Sequence, residues 1–347
     1  MTKYLHIAHP DNFILPLCDF IIKSKELEDH KFLFFSNQIE DRNYPLNSVF
    51  YISSPIRKNL INNLILFYRL CNFSDVIIIH GPTAAIFFKI FPRFTKKLVW
   101  IIYGHELYSM IHGIKVKRGI LIRDSTKFTL KRAKKHLTHI EGDSILANKI
   151  LESKAVFHYS PIYLSNVVNT DAFAPTKIEK KIKILVGNSN SPNNDHHTIF
   201  NELKKFENNI EYILSPLSYG NDLVYKETVK KTGSYLFGDK FKTIENFMPI
   251  NEYNKVLSDV DIVVFNHWRQ EAMGVTLTLL SLGKIVYVNP NTTSYKSLKD
   301  RGFKIFDNNL LFLNGPTIQR DVLDNKSLLE KYYSKEMLIA SLKSLKI

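Results

Sequence analysis

Five short runs of apolar, largely β-branched residues set the limits on this chain: Asp75–His80, Lys97–Tyr103, Ile182–Gly187, Asp261–Phe265 and Ile285–Val288. None alternates apolar with polar, as a strand with one wet face does. Near-continuous runs fit strands buried on both faces, and that is how parallel sheets covered by helices read. Helical patterns lie between the runs. Strand, helix and strand in succession make βαβ units, whose crossovers join parallel strands. The predicted fold class is therefore α/β.

The alternation runs through the whole chain and breaks once. In the first half, strands are expected at Tyr4–His9, Lys31–Ser36, Val49–Ser53 and Ala155–Tyr159 besides the two apolar runs. Helices are expected over Asp11–Lys25, Pro55–Asn72 and Gly119–Lys135. Ser165–Lys183 is polar, contains Pro175 and keeps neither period, so it reads as a linker. The pattern then restarts, with strands at Ile210–Ser215 and Ser234–Phe237 and helices at Asn194–Phe206, Leu223–Thr232 and Ile250–Ser258. Helices Thr317–Leu323 and Lys326–Lys346 are expected to close the chain. Two domains follow, 1–175 and 176–347, expected as Rossmann-like halves facing across a cleft. Glycosyltransferases of the B fold, periplasmic binding proteins and some epimerases share that plan, and fold alone does not choose among them.

Composition excludes several classes. No stretch approaches the ~18 uninterrupted apolar residues of a membrane-spanning helix. The opening residues, MTKYLHIAHP, read as a strand and lack the basic-then-apolar layout of a signal peptide. The two cysteines, Cys18 and Cys71, sit in apolar helical patterns, and no Cys/His cluster suggests zinc. The 47 basic and 33 acidic residues leave a net charge of +14, which calls for an anionic partner. Nucleic acid is the weaker candidate. No helix-turn-helix, RNA-binding or zinc pattern is present, and the cations do not interleave with stacking aromatics.

Function has to come from the loops that follow the strands, where open α/β sheets bind ligands. After Phe265 the chain reads Asn-His-Trp-Arg-Gln-Glu-Ala-Met, and a helical pattern begins at Gly274. Arg269 beside unpaired helix N–H groups makes an anion site. Gly187-Asn188-Ser189 forms a small polar turn whose amides can approach phosphate, although it is neither a Walker A loop nor G-x-G-x-x-G. In the first half, Asp11 and Glu106 follow strand ends. Either one caps a helix or takes a proton from an acceptor hydroxyl. Asp259 and Asp261 make a D-x-D, but Asp261 opens a buried strand. Structural use is expected, and no metal ion or cofactor is predicted.

Several ordered segments together resemble one family. They are ILVGNSNSPNNDHH (184–197), PLSYGNDLVYKETV (216–229), FMPINEYNKVL (247–257) and the run from Val263 to Asn289. WIIYGHELY (100–108) and HYSP (158–161) fit as well. The family is the 4-α-L-fucosyltransferases, glycosyltransferase family 56. The resemblance covers most of the chain and implies a glycosyltransferase-B fold. It also implies transfer of an amino-deoxy sugar, of the 4-acetamido-4,6-dideoxyhexose type, from a TDP-sugar to a polyprenyl-diphosphate-linked glycan. The place would be the cytoplasmic face of the bacterial inner membrane, in surface polysaccharide synthesis such as that of enterobacterial common antigen.

Carried over by residue, Gly187, Asn188, Ser189, Arg269, Gln270 and Gly274 would bind the donor diphosphate and sugar. Thr276 would lie in the first turn of the phosphate-facing helix, and Glu271 would contact the donor. Tyr219, Phe247 and Met248 would approach the nucleotide. Many retaining transferases of this fold carry E-x7-E, whose second Glu holds the ribose. Here that position is Leu279, which suits a deoxyribose. Glu106 is the leading candidate base for an inverting transfer, with Asp11 second. The basic stretch holding Lys117, Arg118, Arg123, Lys127, Lys131, Arg132, Lys134 and Lys135 reads as a surface for anionic lipid headgroups and the acceptor diphosphate. The rival readings are a sugar-nucleotide epimerase or a transferase with another donor.

Overall fold

The computed structural model describes residues 2–39, 42–53, 59–111, 120–172, 174, 181–220, 222–314 and 325–347. Two compact units result, Met1–Val167 with Lys335–Ile347, and Val168–Ser334. The expected division at 175/176 therefore shifts, and the end of the chain returns to the first unit.

The first unit holds seven strands: β1 (Tyr4–Ala8), β2 (His30–Phe34), β3 (Val49–Tyr51), β4 (Val76–His80), β5 (Leu98–Ile101), β6 (Lys135–Thr138) and β7 (Val156–Tyr159). All pair in parallel, in the order β3-β2-β1-β4-β5-β6-β7. Its helices are α1 (Ile14–Lys23), α2 (Leu60–Phe73), α3 (Ala85–Ile90), α4 (His105–Ile111), α5 (Ile120–Leu130) and α6 (Glu141–Leu151). Strand alternation sends Leu5, Ile7, Ile77 and Ile79 into one core and Tyr4, Ala8, Val76 and Ile78 into the other. Both faces are covered, and this is why these strands read as unbroken apolar runs.

The second unit repeats the plan. Its strands are β8 (Ile182–Val186), β9 (Ile210–Pro216), β10 (Phe241–Ile244), β11 (Ile262–Phe265), β12 (Ile285–Val288) and β13 (Phe306–Asp307). They are again parallel, in the order β10-β9-β8-β11-β12-β13. The helices are α7 (His196–Lys204), α8 (Leu223–Phe237), α9 (Ile250–Asp259), α10 (Met273–Ser281), α11 (Thr293–Asp300), α12 (Asn308–Asn314) and α13 (Asn325–Tyr332). The order reverses between β8 and β11, so the loops after these two strands open side by side at the topological switch point.

Several expectations are corrected. The Gly119–Lys135 helix ends at Leu130, and Lys135 begins the buried strand β6. Ser234–Phe237 is the last turn of α8, and the strand comes later, at Phe241–Ile244. Lys326–Lys346 is two helices, α13 and α14 (Lys335–Lys343). The second of these packs Leu338, Leu342 and Leu345 into the core of the first unit. The expected helix Thr317–Leu323 lies outside the described residues.

Candidate active site

The site is built where β8 and β11 lie adjacent, Val186 opposite Val264. Gly187 donates its N–H to Val264 O (3.1 Å) and turns with φ +69°. A Cβ at Gly187 would sit 2.5 Å from Nε2 of buried His196 and 2.8 Å from Oδ1 of Asn194. Glycine is thus required by both conformation and space.

Asn194 organises the turn. Its Oδ1 accepts from Asn188 N–H (2.8 Å), and its Nδ2 donates to Ser189 Oγ (2.9 Å) and Ser191 O (3.0 Å). Nε2 of buried His267, on the neighbouring loop, lies 3.0 Å from the side-chain oxygens of both Asn188 and Asn194. Both partners are acceptors, so Nε2 carries the proton and donates. Burial lowers the His267 pKa to about 3, and the charges of His196 and Arg269 act in the same direction. Its 4.0 Å approach to Glu271 is accordingly not an ion pair.

Arg269 and Glu271 stand beside a small pocket also lined by His267, Thr276, Thr292 and Ser294. Nη2 of Arg269 donates to Glu271 Oε1, which also accepts from Asn193 Nδ2 at 3.2 Å. Glu271 Oε2 is buried and has no hydrogen-bond partner among the described residues. Ala272 then takes φ +56° and leads into α10. That is a left-handed conformation uncommon outside glycine, and such strain clusters where a turn must aim a helix end. Thr276 is buried, and its N–H is already bonded to Ala272 O (2.8 Å). The helix-start amides that remain for a ligand are those of 273–275, while the Thr276 side chain lines the pocket.

Other expected donor residues fall differently. Tyr219 and Phe247 are 72% and 85% exposed at the carboxyl ends of β9 and β10, and Met248 and Gln270 are half-buried. Leu279 is fully buried in α10. Asp259 accepts from Lys183 Nζ and Tyr212 OH (both 2.7 Å), and Asp261 accepts from Lys183 N–H (2.9 Å). The D-x-D is engaged within the fold.

In the first unit, Asp11 Oδ1 accepts from Phe13 and Ile14 N–H (2.8 Å each), which is an N-cap on α1. Glu106 Oε1 accepts from Tyr103 N–H (2.8 Å), reaching back over the start of α4. Burial raises its carboxyl to about 7 against the pull of that N–H. Tyr163, close by, stacks on Tyr103 (centroids 5.0 Å). It follows Ile162, which sits at φ +74° in a three-residue turn closed by Tyr163 N–H to Pro161 O (3.0 Å). Of the basic stretch, Arg123, Lys127, Lys131, Arg132 and Lys134 are exposed. Lys131 pairs with Glu152 (3.1 Å), and Arg132 lies 3.7 Å over the Phe128 ring. Lys117 and Arg118 lie outside the described residues.

A model of the 4-alpha-L-fucosyltransferase family, glycosyl transferase group 56, matches residues 15–315. The chain belongs to this family. Solved structures agree on the architecture. Anabaena HepE in complex with UDP and glucose superposes with a TM-score of 0.70 at 12% identity, over 99% of this chain and 100% of that one. Sucrose-phosphate synthase from Thermosynechococcus elongatus gives 0.68 at 11%, covering 99% and 98%. The lipopolysaccharide outer core galactosyltransferase WaaB, in its apo form, gives 0.67 at 11%, again covering 99% and 98%. The fold is glycosyltransferase-B, and this group 56 protein is a glycosyltransferase that uses a sugar nucleotide.

Asn193, Asn194, His196 and His267 are the site residues that sequence reasoning passed over. The run Ser-Pro-Asn-Asn-Asp after a buried strand was the available signal, since side-chain amides hold tight turns by bonding to backbone.

Proposed function

We propose that the donor is a TDP-linked amino-deoxy sugar, bound on the second unit over the start of α10, and that the acceptor is a polyprenyl-diphosphate-linked glycan. The observation that carries the donor site is the Arg269–Glu271 pair. The guanidinium, beside the free amides of 273–275, takes the diphosphate. The unpartnered Glu271 Oε2 accepts from a sugar hydroxyl or amide N–H. An orphaned buried carboxylate oxygen is costly, and a ligand donor removes that cost.

The leaving diphosphate gains charge as the glycosidic bond breaks. Arg269 and the helix start stabilise that charge without a metal ion, because they are already oriented. The His267–Asn194–Asn188 network keeps the Gly187 turn in place beneath it and adds no charge of its own. An inverting transfer requires a base, and Glu106 is the carboxylate we assign to it, its raised pKa suiting proton acceptance near neutrality. Asp11, spent on two N–H groups, is the cap. A retaining transfer needs no base, and Glu106 then serves as a cap too. Exposed cations of the first unit hold the protein peripherally on an anionic inner-membrane surface.

The test pairs calorimetry with turnover. Titrating TDP and UDP separately ranks the nucleotides, UDP being the one held by HepE. Tighter binding of UDP overturns the TDP assignment. Incubating TDP-sugars with and without a lipid-linked acceptor separates transfer from acceptor-free epimerisation.

A further inference from the structure

The solvent side of α2 carries exposed apolar side chains among the exposed polar residues Asn62, Arg69 and Asn72. Ile61 is 73% exposed, and Leu60, Ile65, Tyr68 and Phe73 are exposed beside it. Ile61, Ile65 and Tyr68 follow the helical repeat, so they form one stripe opposite the buried Phe67 and Cys71. A surface helix ordinarily puts Lys and Glu there. Here Arg69 is the single charge in a helix of 14 residues. Beside it the Tyr68 ring meets those of half-buried Phe91, just after α3, and of buried Phe94 (5.6 Å each), and Ile86 and Ile90 of α3 are exposed as well. Single exposed apolar residues need no explanation, but a contiguous group does.

The charges in the segment that carries this face are mostly of one sign. From Leu60 to Lys97 the chain carries Arg69, Lys89, Arg93, Lys96 and Lys97 against the single acid Asp75. Arg93 lies over the rings of Tyr68 (4.5 Å) and Phe94 (4.8 Å), so its alkyl stem follows apolar surface. Exposed isoleucines in a segment with five cations and one acid complement a bilayer interface with anionic headgroups, where such helices lie in the plane of the membrane. Neither a second copy of this basic chain nor an ordinary soluble partner matches that charge as well.

We propose that the exposed faces of α2 and α3 insert into an anionic bilayer surface and form the apolar part of the membrane attachment. This rests on the membrane reading above and adds an apolar contact, on α2, to the cations around α5. Co-sedimentation with vesicles containing phosphatidylglycerol, and with phosphatidylcholine alone, tests it at low salt. Wild-type protein is expected on the anionic vesicles. I61S/I65S is expected to bind roughly tenfold to a hundredfold more weakly, with unchanged melting temperature and nucleotide affinity. A second variant, Ile65→Trp, should show a blue-shifted emission when anionic vesicles are added. Undiminished binding of I61S/I65S, or no shift for I65W, overturns the α2 assignment. Loss of binding in R123Q/K127Q alone then leaves the broader membrane reading standing. Failure of the wild type to bind overturns both. A wild-type dimer that I61S/I65S dissociates assigns the face to self-association and overturns the proposal.

Discussion

Arg269 and Gly187 carry opposite kinds of cost when changed, and that separates chemistry from scaffolding. Arg269 and Glu271 keep only 14% and 18% of their side-chain surface exposed, so losing the guanidinium also leaves a mostly buried carboxylate without its cation. Arg269→Ala should lower turnover by about 10²–10³, with a smaller accompanying drop in melting temperature. Near-wild-type activity removes it from the donor site. Gly187→Ala acts the other way, forcing a side chain into a left-handed conformation 2.5 Å from His196. It should destabilise the second unit by about 1–3 kcal/mol and weaken nucleotide binding along with it, both readable by thermal melting with and without nucleotide. Arg269 was legible in sequence because a charged side chain after a buried strand has few structural uses. His267 was not. A histidine reads the same whether it titrates in solvent or stays neutral as a buried donor, and only the facing acceptors of Asn188 and Asn194 decide.

At the level of elements, buried parallel strands were the most readable part of the chain, and helix limits the least. β6 (Lys-His-Leu-Thr) lacks an apolar run, yet its His136, Leu137 and Thr138 are buried through neighbours distant in sequence. Gly233 lies between the helix expected to end at Thr232 and the strand expected from Ser234. Its role is different: a Cβ there would lie 2.4 Å from the Phe241 ring, so glycine lets the helix pack on the next strand. The helix-start carboxylates give a test at the same level. In Glu106→Gln the amide oxygen can still accept from Tyr103 N–H, so melting should stay near wild type while turnover falls by about 10²–10⁴ if Glu106 is the base. Unchanged turnover leaves it a cap. Asp11→Ala should cost about 1 kcal/mol of stability and spare turnover. Removing residues 335–347 should lower the stability of the first unit by several kcal/mol, on the order of 2 kcal/mol for each of Leu338, Leu342 and Leu345.

For the whole molecule, both units enclose histidines that the sequence shows only as ordinary residues of neutral-pH protein. His6 Nδ1 lies 2.9 Å from His80 Nε2, and His6 Nε2 lies 2.9 Å from His30 Nδ1, a chain across β2, β1 and β4. Burial lowers His30 and His80 to about 3, and His6 well below its usual value. In the second unit burial lowers His196 and His267 to about 3 as well. The unfolded chain takes up these protons near pH 6.5, whereas in the folded chain His30, His80, His196 and His267 do not until near pH 3, and His6 not until well below 6.5. Between those values the unfolded state binds more protons, so stability falls as pH falls. Glu106, raised to about 7, works the other way between 7 and 4.5 but is one group against several. Each buried histidine contributes about 1.4 kcal/mol per pH unit once well below 6.5. The melting midpoint should drop by about 10 °C between pH 7.5 and 5.5, with proton uptake on unfolding measurable by calorimetry in buffers of different ionisation enthalpy. A midpoint constant across that range would mean that the histidines titrate alike in the folded and unfolded chain, and that water reaches the β1–β2–β4 chain and the turn beneath the donor site.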